Sequence, residues 1–437
     1  EMLEQGIQKG ISSKQFDTFA QKLEMTTQNA VLPQEELNKL FKYYQNGQYH
    51  DAEKLALSIT QKFPNNLLSW KVLGAALKQT GKLAEALEAN EKVIKLSSGD
   101  AESHYNMGNT LQEIGRLDEA EAAYRSAITI NSSFVEAYNN LGNTLRKLSR
   151  LEEAEANYVT ATELKSDHIE AQSNLALTLR ELGKLKEAEK CYKGLIDLQP
   201  NHITAHNGLG VTLTMLNKLS EAEACYETAI NLKPDYVEAF NNLGVLYRDL
   251  GRLDDAEANY KVAIILKPNY TESLNNLGHT LQDSNNSELA SRNYRRSICT
   301  NPAVAYSYWN LCGLARNSVD AEYWIDRCLG VDSKFEKAIF MKAAQTFYQG
   351  DKTEFDYLLK SQSKSNPYMS SLLWLLNLPK LPPLYYNRWH FFDAILKESV
   401  ISRPFYEFGV WRGASFKYLI KTLGKGFGFD TFTGLPE

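Results

Sequence analysis

Apolar residues along most of this chain recur at spacings of three and four, the return period of one helix face, and the pattern itself repeats. Each recurrence opens on a turn residue, passes through a basic or polar residue and an apolar one, and reaches an alanine five positions on. The turn positions are Gly47, Gly81, Gly115, Ser149, Gly183, Asn217, Gly251 and Asn285. The alanines are Ala52, Ala86, Ala120, Ala154, Ala188, Ala222, Ala256 and Ala290. A period of 34 is thus held through eight units without an insertion, so a repeat architecture is read before any division into domains.

The unit 237–270 shows what each repeat predicts. Phe240, Leu243, Gly244 and Tyr247 share one face of a first helix, and Ala256, Tyr260 and Ala263 share one face of a second. Gly251 suits the turn because it adopts positive φ without a Cβ clash, and Pro268 stops the second helix. Small residues at Gly244 and Ala256 are expected to let the two helices approach, with aromatic side chains filling the space beside them. One such pair leaves an apolar face uncovered, so stability must come from stacking on neighbours.

These residues resemble the tetratricopeptide repeat signature over residues 33–304. The resemblance implies an all-α fold, a right-handed superhelical solenoid of helix-turn-helix repeats whose concave groove holds a protein or an extended peptide. Residues 305–361 read as a degenerate ninth unit with capping helices: Tyr308, Asn310 and Leu311 stay in register, while the second helix moves to about Ala321. Residues 1–32 read as an N-terminal helical extension.

Asparagines stand at the sixth position of the units, at Asn38, Asn106, Asn140, Asn174, Asn242, Asn276 and Asn310, and at the fifth, at Asn139, Asn207, Asn241 and Asn275. A carboxamide both donates and accepts, so a column of them can hydrogen-bond a peptide backbone without reading its side chains. The column also resembles the asparagine-ladder repeats of the O-linked N-acetylglucosamine transferase. By that resemblance Asn106, Asn140, Asn174, Asn207, Asn242, Asn276 and Asn310 are the peptide-binding residues. The other reading is that these amides bridge adjacent repeats or are merely solvated. Glu102, Glu136, Glu170, Glu238 and Glu272 at the second position add either an acidic edge suited to basic partners or a solvated helix face.

After residue 361 the period is lost, and LPKLPPLYYNRW from Leu378 marks a boundary within a linker-and-helix segment, 362–403. From Phe405, FYEFGVWRGASFKYLIKTL and then GFGFD read as strand, glycine turn, helix and a second strand ending at Asp430. A glycine-bearing loop after a strand lets a nucleotide-like ligand approach the backbone, and an acid ending the next strand can accept from ribose hydroxyls. YEFGVWRGAS followed by GFDTFTGLPE resembles the opening of class I S-adenosylmethionine-dependent methyltransferases of the macrocin O-methyltransferase family. That resemblance covers about residues 385–437 and implies a truncated α/β, Rossmann-like piece at 404–437 with S-adenosylmethionine as its cofactor. Glu407, Gly409 and Gly413 would form its first cofactor motif and Asp430 the ribose contact, with Trp411 and Phe432 flanking the site. Two strands do not make the sheet such a domain needs. The chain therefore reads as an inactive fragment of a methyltransferase whose catalytic groups lie downstream.

Composition narrows the picture further. A net charge of -5 with no basic stripe argues against nucleic acid as a partner. No run approaches the ~18 apolar residues of a spanning helix and no signal peptide opens the chain, so no membrane partner and a cytoplasmic location are expected. The five cysteines form no CxxC pair, and His202 and His206 lack an HExxH pattern, so neither a disulfide framework nor a metal site is implied. Two competing functions stay open: a glycosyltransferase of the asparagine-ladder type, and a pure scaffold with a vestigial C-terminus.

Overall fold

The computed structural model of the chain describes residues 32–361 and the backbone of two short strands nearer the C-terminus. The extension expected ahead of residue 32, the segment 362–403 and the positions Gly409, Trp411, Gly413, Asp430 and Phe432 lie outside the described residues. The chain divides into two compact units, Glu1–Pro200 and Asn201–Glu437.

Among the described residues the first unit is a stack of paired helices. Its pairs are α1 (Gln34–Gln45) with α2 (Tyr49–Lys62), α3 (Leu67–Gln79) with α4 (Leu83–Leu96), α5 (Ala101–Ile114) with α6 (Leu117–Ile130), α7 (Val135–Lys147) with α8 (Leu151–Leu164), and α9 (Ile169–Glu181) with α10 (Leu185–Leu198). The second unit continues the pattern with α11 (Ile203–Met215) and α12 (Leu219–Leu232), α13 (Val237–Asp249) and α14 (Leu253–Leu266), and α15 (Thr271–Asp283) and α16 (Ser287–Thr300). It then carries α17 (Ala305–Cys312) and α18 (Ser318–Val331), and α19 (Glu336–Tyr348) and α20 (Thr353–Ser361). Strand β1 (Phe405–Phe408) pairs in parallel with β2 (Gly426–Phe429), Phe405 opposite Gly426 and Glu407 opposite Gly428.

The turn within each of the first eight repeats is a left-handed stop. Gly115 sits at φ 90° and Gly251 at φ 74°, and the N–H of the following residue reaches back to a carbonyl one turn inside the helix, as Arg116 does to Leu111 at 2.9 Å and Arg252 to Tyr247 at 2.8 Å. These bonds satisfy carbonyls that the helix end would otherwise leave open. Ser149, Asn217 and Asn285 hold the same conformation at φ 60°, 58° and 61° without being glycine. The fold therefore demands the geometry even where the residue resists it.

The close approach expected at Gly244 has a specific occupant. A Cβ there would lie 2.7 Å from the ring of Tyr260, sixteen residues on, which is fully buried. The same fit recurs at Gly210 on Tyr226 and Gly278 on Tyr294, and in the first unit at Gly108 on Tyr124 and Gly142 on Tyr158. An aromatic ring thus lies flat where the first helix offers no side chain, which converts a missing Cβ into buried apolar area. Ala176 stands in the glycine position of its repeat, and Tyr192, sixteen residues on, is still buried at 3% exposure.

The ninth repeat breaks the step. Ala290 to Ala321 is 31 residues instead of 34, and α17 has 8 residues where the first helices α11, α13 and α15 have 13. Tyr308, Asn310 and Leu311 are nonetheless buried, and Ile325 and Cys328 of α18 complete their cluster.

Gly142→Ala should destabilise the chain by about 1–2 kcal/mol, the range for forcing one methyl into a packed site. Urea unfolding followed by circular dichroism measures it. The combination with Tyr158→Phe should leave that cost unchanged, because the clash is with the ring and not with the hydroxyl.

Candidate peptide-binding face

The asparagines of the first helices bind one another before they can bind anything else. In the first unit Asn140 donates through Nδ2 to Asn109 Oδ1 at 2.9 Å and to the Tyr105 hydroxyl at 3.0 Å. Asn174 donates to Asn139 Oδ1 at 3.1 Å and to Asn143 Oδ1 at 3.0 Å. Each amide spends both of its hydrogens on the preceding repeat. In the second unit Asn242 donates to Asn207 Oδ1 and Asn276 to Asn241 Oδ1, both at 3.0 Å.

A second layer of bonds lies beneath this one. Tyr124 donates its hydroxyl to Asn109 Oδ1 at 2.8 Å and Tyr158 to Asn143 Oδ1 at 2.7 Å, so the ring that fills the glycine gap also anchors the amide that receives the next repeat. Two of the fifth-position amides, Asn139 and Asn241, are each buried to 1% exposure, and they donate to Glu170 at 3.0 Å and Glu272 at 3.1 Å. Those two second-position carboxylates are thereby drawn into the bridges between repeats and are not a bare acidic edge.

What remains outward is the carbonyl side of the row. Asn174, Asn242 and Asn276 are half-buried, and among the described residues no donor reaches their Oδ1 atoms. Asn106 is half-buried with no side-chain hydrogen bond among the described residues, and Asn38 is exposed, accepting from Gln34. Asn310 differs from all of these. It is 4% exposed, its Nδ2 has no partner, and with His279, Gln282, Trp309 and Met341 it lines a cavity of about 130 Å³. Of the residues proposed for a cofactor, only Glu407 falls in a described element, the backbone of β1.

Burial sets the ionisation of the tyrosines beneath the row. It pushes the Tyr158 phenol up to about 12, and it raises Tyr124 and Tyr105 as well. In the second unit burial, aided by Glu223, takes Tyr247 to about 12, and burial takes the thiols of Cys312 and Cys328 to about 12 and about 11. All five cysteines are free thiols, and His202 caps α11 by accepting the Ala205 N–H on Nδ1 at 3.1 Å. Among the described residues no group of three or more His, Cys, Asp or Glu could hold a metal, and no helix is long and apolar enough to cross a membrane.

Models of the tetratricopeptide repeat match residues 42–101, 101–134, 133–193, 167–235 and 216–271, more than half of the chain. The chain belongs to the tetratricopeptide repeat family. Among solved structures it is similar to YrrB, described as a TPR protein with an unusual peptide-binding site, at 26% identity over 43% of this chain and 97% of that one, with a TM-score of 0.38. It is also similar to the APC/C hetero-tetramer Cut9-Hcn1, at 17% identity over 67% of this chain and 55% of that one, TM-score 0.44. A tetratricopeptide repeat protein from Parabacteroides merdae shares 20% identity over 57% of this chain and 98% of that one, TM-score 0.45. No curated protein matches the chain.

The ninth-position partners Asn109 and Asn143 were absent from the row read in the sequence, and they are the acceptors on which its bidentate members depend. The signal was present: each lies one residue after the glycine of its tetratricopeptide unit and fifteen before the tyrosine that bonds it.

A phenol raised from its ordinary value of about 10 favours the protonated form in the folded chain. That stability is complete below pH about 10 and is lost as pH climbs toward the folded value, and the two raised thiols extend the loss down toward pH about 9. The urea midpoint should therefore hold steady from neutrality to about pH 9 and fall steeply by about pH 11, and Tyr158→Phe should flatten part of that fall.

Proposed function

We propose that this chain is a tetratricopeptide scaffold that holds an extended peptide segment of a partner protein along its first helices. One observation carries the reading. The carboxamides of Asn174, Asn242 and Asn276 are fixed by their Nδ2 bonds to the preceding repeat, with Oδ1 left without a donor among the described residues. Amides fixed in this way present carbonyl acceptors already oriented, so a peptide N–H meets them without the entropy cost of ordering the side chain. Bridging between repeats and peptide capture are then two uses of the same amide, one per end. Asn106 extends the row, Asn140 and Asn207 belong to it with Oδ1 already accepting from Asn139 at 3.3 Å and Asn242 at 3.0 Å, and Asn310 supplies a donor at the cavity beside Trp309.

A second reading, a methyltransferase to which the repeats would recruit a substrate, is favoured by the parallel pairing of β1 with β2. Parallel neighbours require a crossover connection, which suits a β-α-β start. In that reading S-adenosylmethionine is held by Glu407, Gly409, Gly413 and Asp430.

The scaffold reading is checked with peptides selected from a random library on the whole chain and resynthesised with N-methylated backbones. Removing the N–H groups, or making the double change Asn242→Ala and Asn276→Ala, should weaken binding by about tenfold, the equivalent of 1.4 kcal/mol, with the helical circular dichroism unchanged. Peptides indifferent to both changes would overturn the reading. For the methyltransferase, calorimetric titration of S-adenosylmethionine into the product of the whole open reading frame should show binding that Asp430→Ala abolishes. No heat from that protein removes the enzyme.

A further inference from the structure

Most repeats close the gap between successive second helices with an ion pair of fixed design. A cation just past the turn reaches back to the carboxylate that follows the repeat alanine in the preceding second helix. Lys82 meets Glu53 at 2.6 Å, Arg150 meets Glu121 at 2.7 Å, Lys184 meets Glu155 at 2.6 Å, and in the second unit Arg252 meets Glu223 at 3.0 Å.

The ninth repeat lacks the carboxylate, and Asn317 stands where the other repeats place the cation, with Arg316 one residue before it. The residue after Ala290 is Ser291, and the turn facing it carries Arg316. Ser291 offers only a hydroxyl, 3.4 Å from the Arg295 Nε. Arg295 lies over the ring of Trp324 at 5.1 Å, and among the described residues neither Arg295 nor Arg316 has a carboxylate partner. The nearby acids are already engaged, Glu288 by Arg292 at 2.6 Å and Asp320 by Asn317 at 3.1 Å.

The shortened step also opens space. With three residues gone from the repeat, α16, the end of α17 and the start of α18 enclose a cavity of about 760 Å³. It is far larger than one carboxylate needs. Glu288, Arg292 and Asp320 also line it, and its apolar wall is formed by Leu311, Leu314 and Ala315 with the exposed Val319 and Tyr323, 73% and 50% accessible. Arg295 and Arg316 are both exposed, and two guanidiniums without a carboxylate beside an apolar wall are matched by a ligand that brings both an anion and a hydrophobic group.

We propose that this cavity is a second docking site, separate from the first-helix row, for an acidic peptide segment of a partner protein. The segment places a Glu or Asp carboxylate between Arg295 and Arg316, where other repeats supply their own glutamate, and an aliphatic or aromatic side chain against Val319 and Tyr323. A carboxylate is assigned because the same position in the fold is filled by one at Glu53, Glu121, Glu155 and Glu223. The planar guanidinium forks receive it in two-point fashion.

The test exploits the repeat's own design. Ser291→Glu restores the missing carboxylate and should neutralise the site from within while leaving the helical fold intact. A random peptide library displayed on phage is selected on the wild-type chain and depleted on the Ser291→Glu chain. The surviving peptides should be enriched in Glu or Asp beside a large apolar residue. A synthetic survivor should bind at least about tenfold more weakly to Ser291→Glu and to Arg316→Ala. Its affinity should be unchanged by Asn242→Ala with Asn276→Ala, which separates this site from the peptide row. Identical pools on the two chains, or a survivor that binds as well after its acids are changed to amides, would overturn the proposal. So would displacement of the survivor by inorganic phosphate at matched ionic strength, which would make the cavity a phosphate site instead.

Discussion

Tyr158 lies against Gly142, where a Cβ would come within 2.6 Å of its ring, and donates its hydroxyl to Asn143 at 2.7 Å; the same Asn143 accepts from Asn174 of the next repeat at 3.0 Å. One side chain therefore locks the two helices of its own repeat together and fixes the acceptor that holds the following one. Tyr124 does the same one repeat earlier through Gly108, Asn109 and Asn140. In a linear stack, where each repeat touches only its neighbours, stability depends on such interfaces more than on any single core. A buried hydroxyl that lost its acceptor would cost about 1–3 kcal/mol, so the polar layer and the apolar packing stand or fall together.

The same constraint explains why the asparagine row has two faces. Buried amides need partners, and here the partners lie in adjacent repeats. Once the Nδ2 hydrogens are committed, orientation is set, and the carbonyl oxygen is what the half-buried amide has left to offer. A surface used for assembly thus becomes a surface suited to an extended backbone. The proposed capture along it would discriminate little between sequences, because a main-chain N–H is common to every residue except proline.

In the ninth repeat the pattern is relaxed, and its apolar and polar parts respond differently. The ninth repeat is three residues shorter, with α17 cut to 8 residues, and the second helix before it carries Ser291 in place of the usual glutamate, yet Tyr308, Asn310 and Leu311 stay buried. Packing is kept where the apolar register survives. Polar pairing is lost where the sequence withdraws a partner, and this end of the stack is where both Asn310 and Arg316 are left without partners among the described residues.

Helix boundaries, turn positions and the stacking of pairs were legible in the sequence because a period of 34 repeats each local signal eight times. Gly115 and Gly251 announced their turns by chemistry alone, since positive φ is a property of the residue. The asparagines were legible as a column for the same reason. Which end of each amide faces outward was not, and neither were the roles of Asn109 and Asn143, because those depend on partners 31 and 35 residues away that only stacking brings within hydrogen-bonding reach. Gly244 likewise read as a place for helices to approach, whereas the folded chain seats Tyr260 there. The cavity beside Arg316 is a product of tertiary structure: α16, the end of α17 and the start of α18 come together around it only in the folded chain.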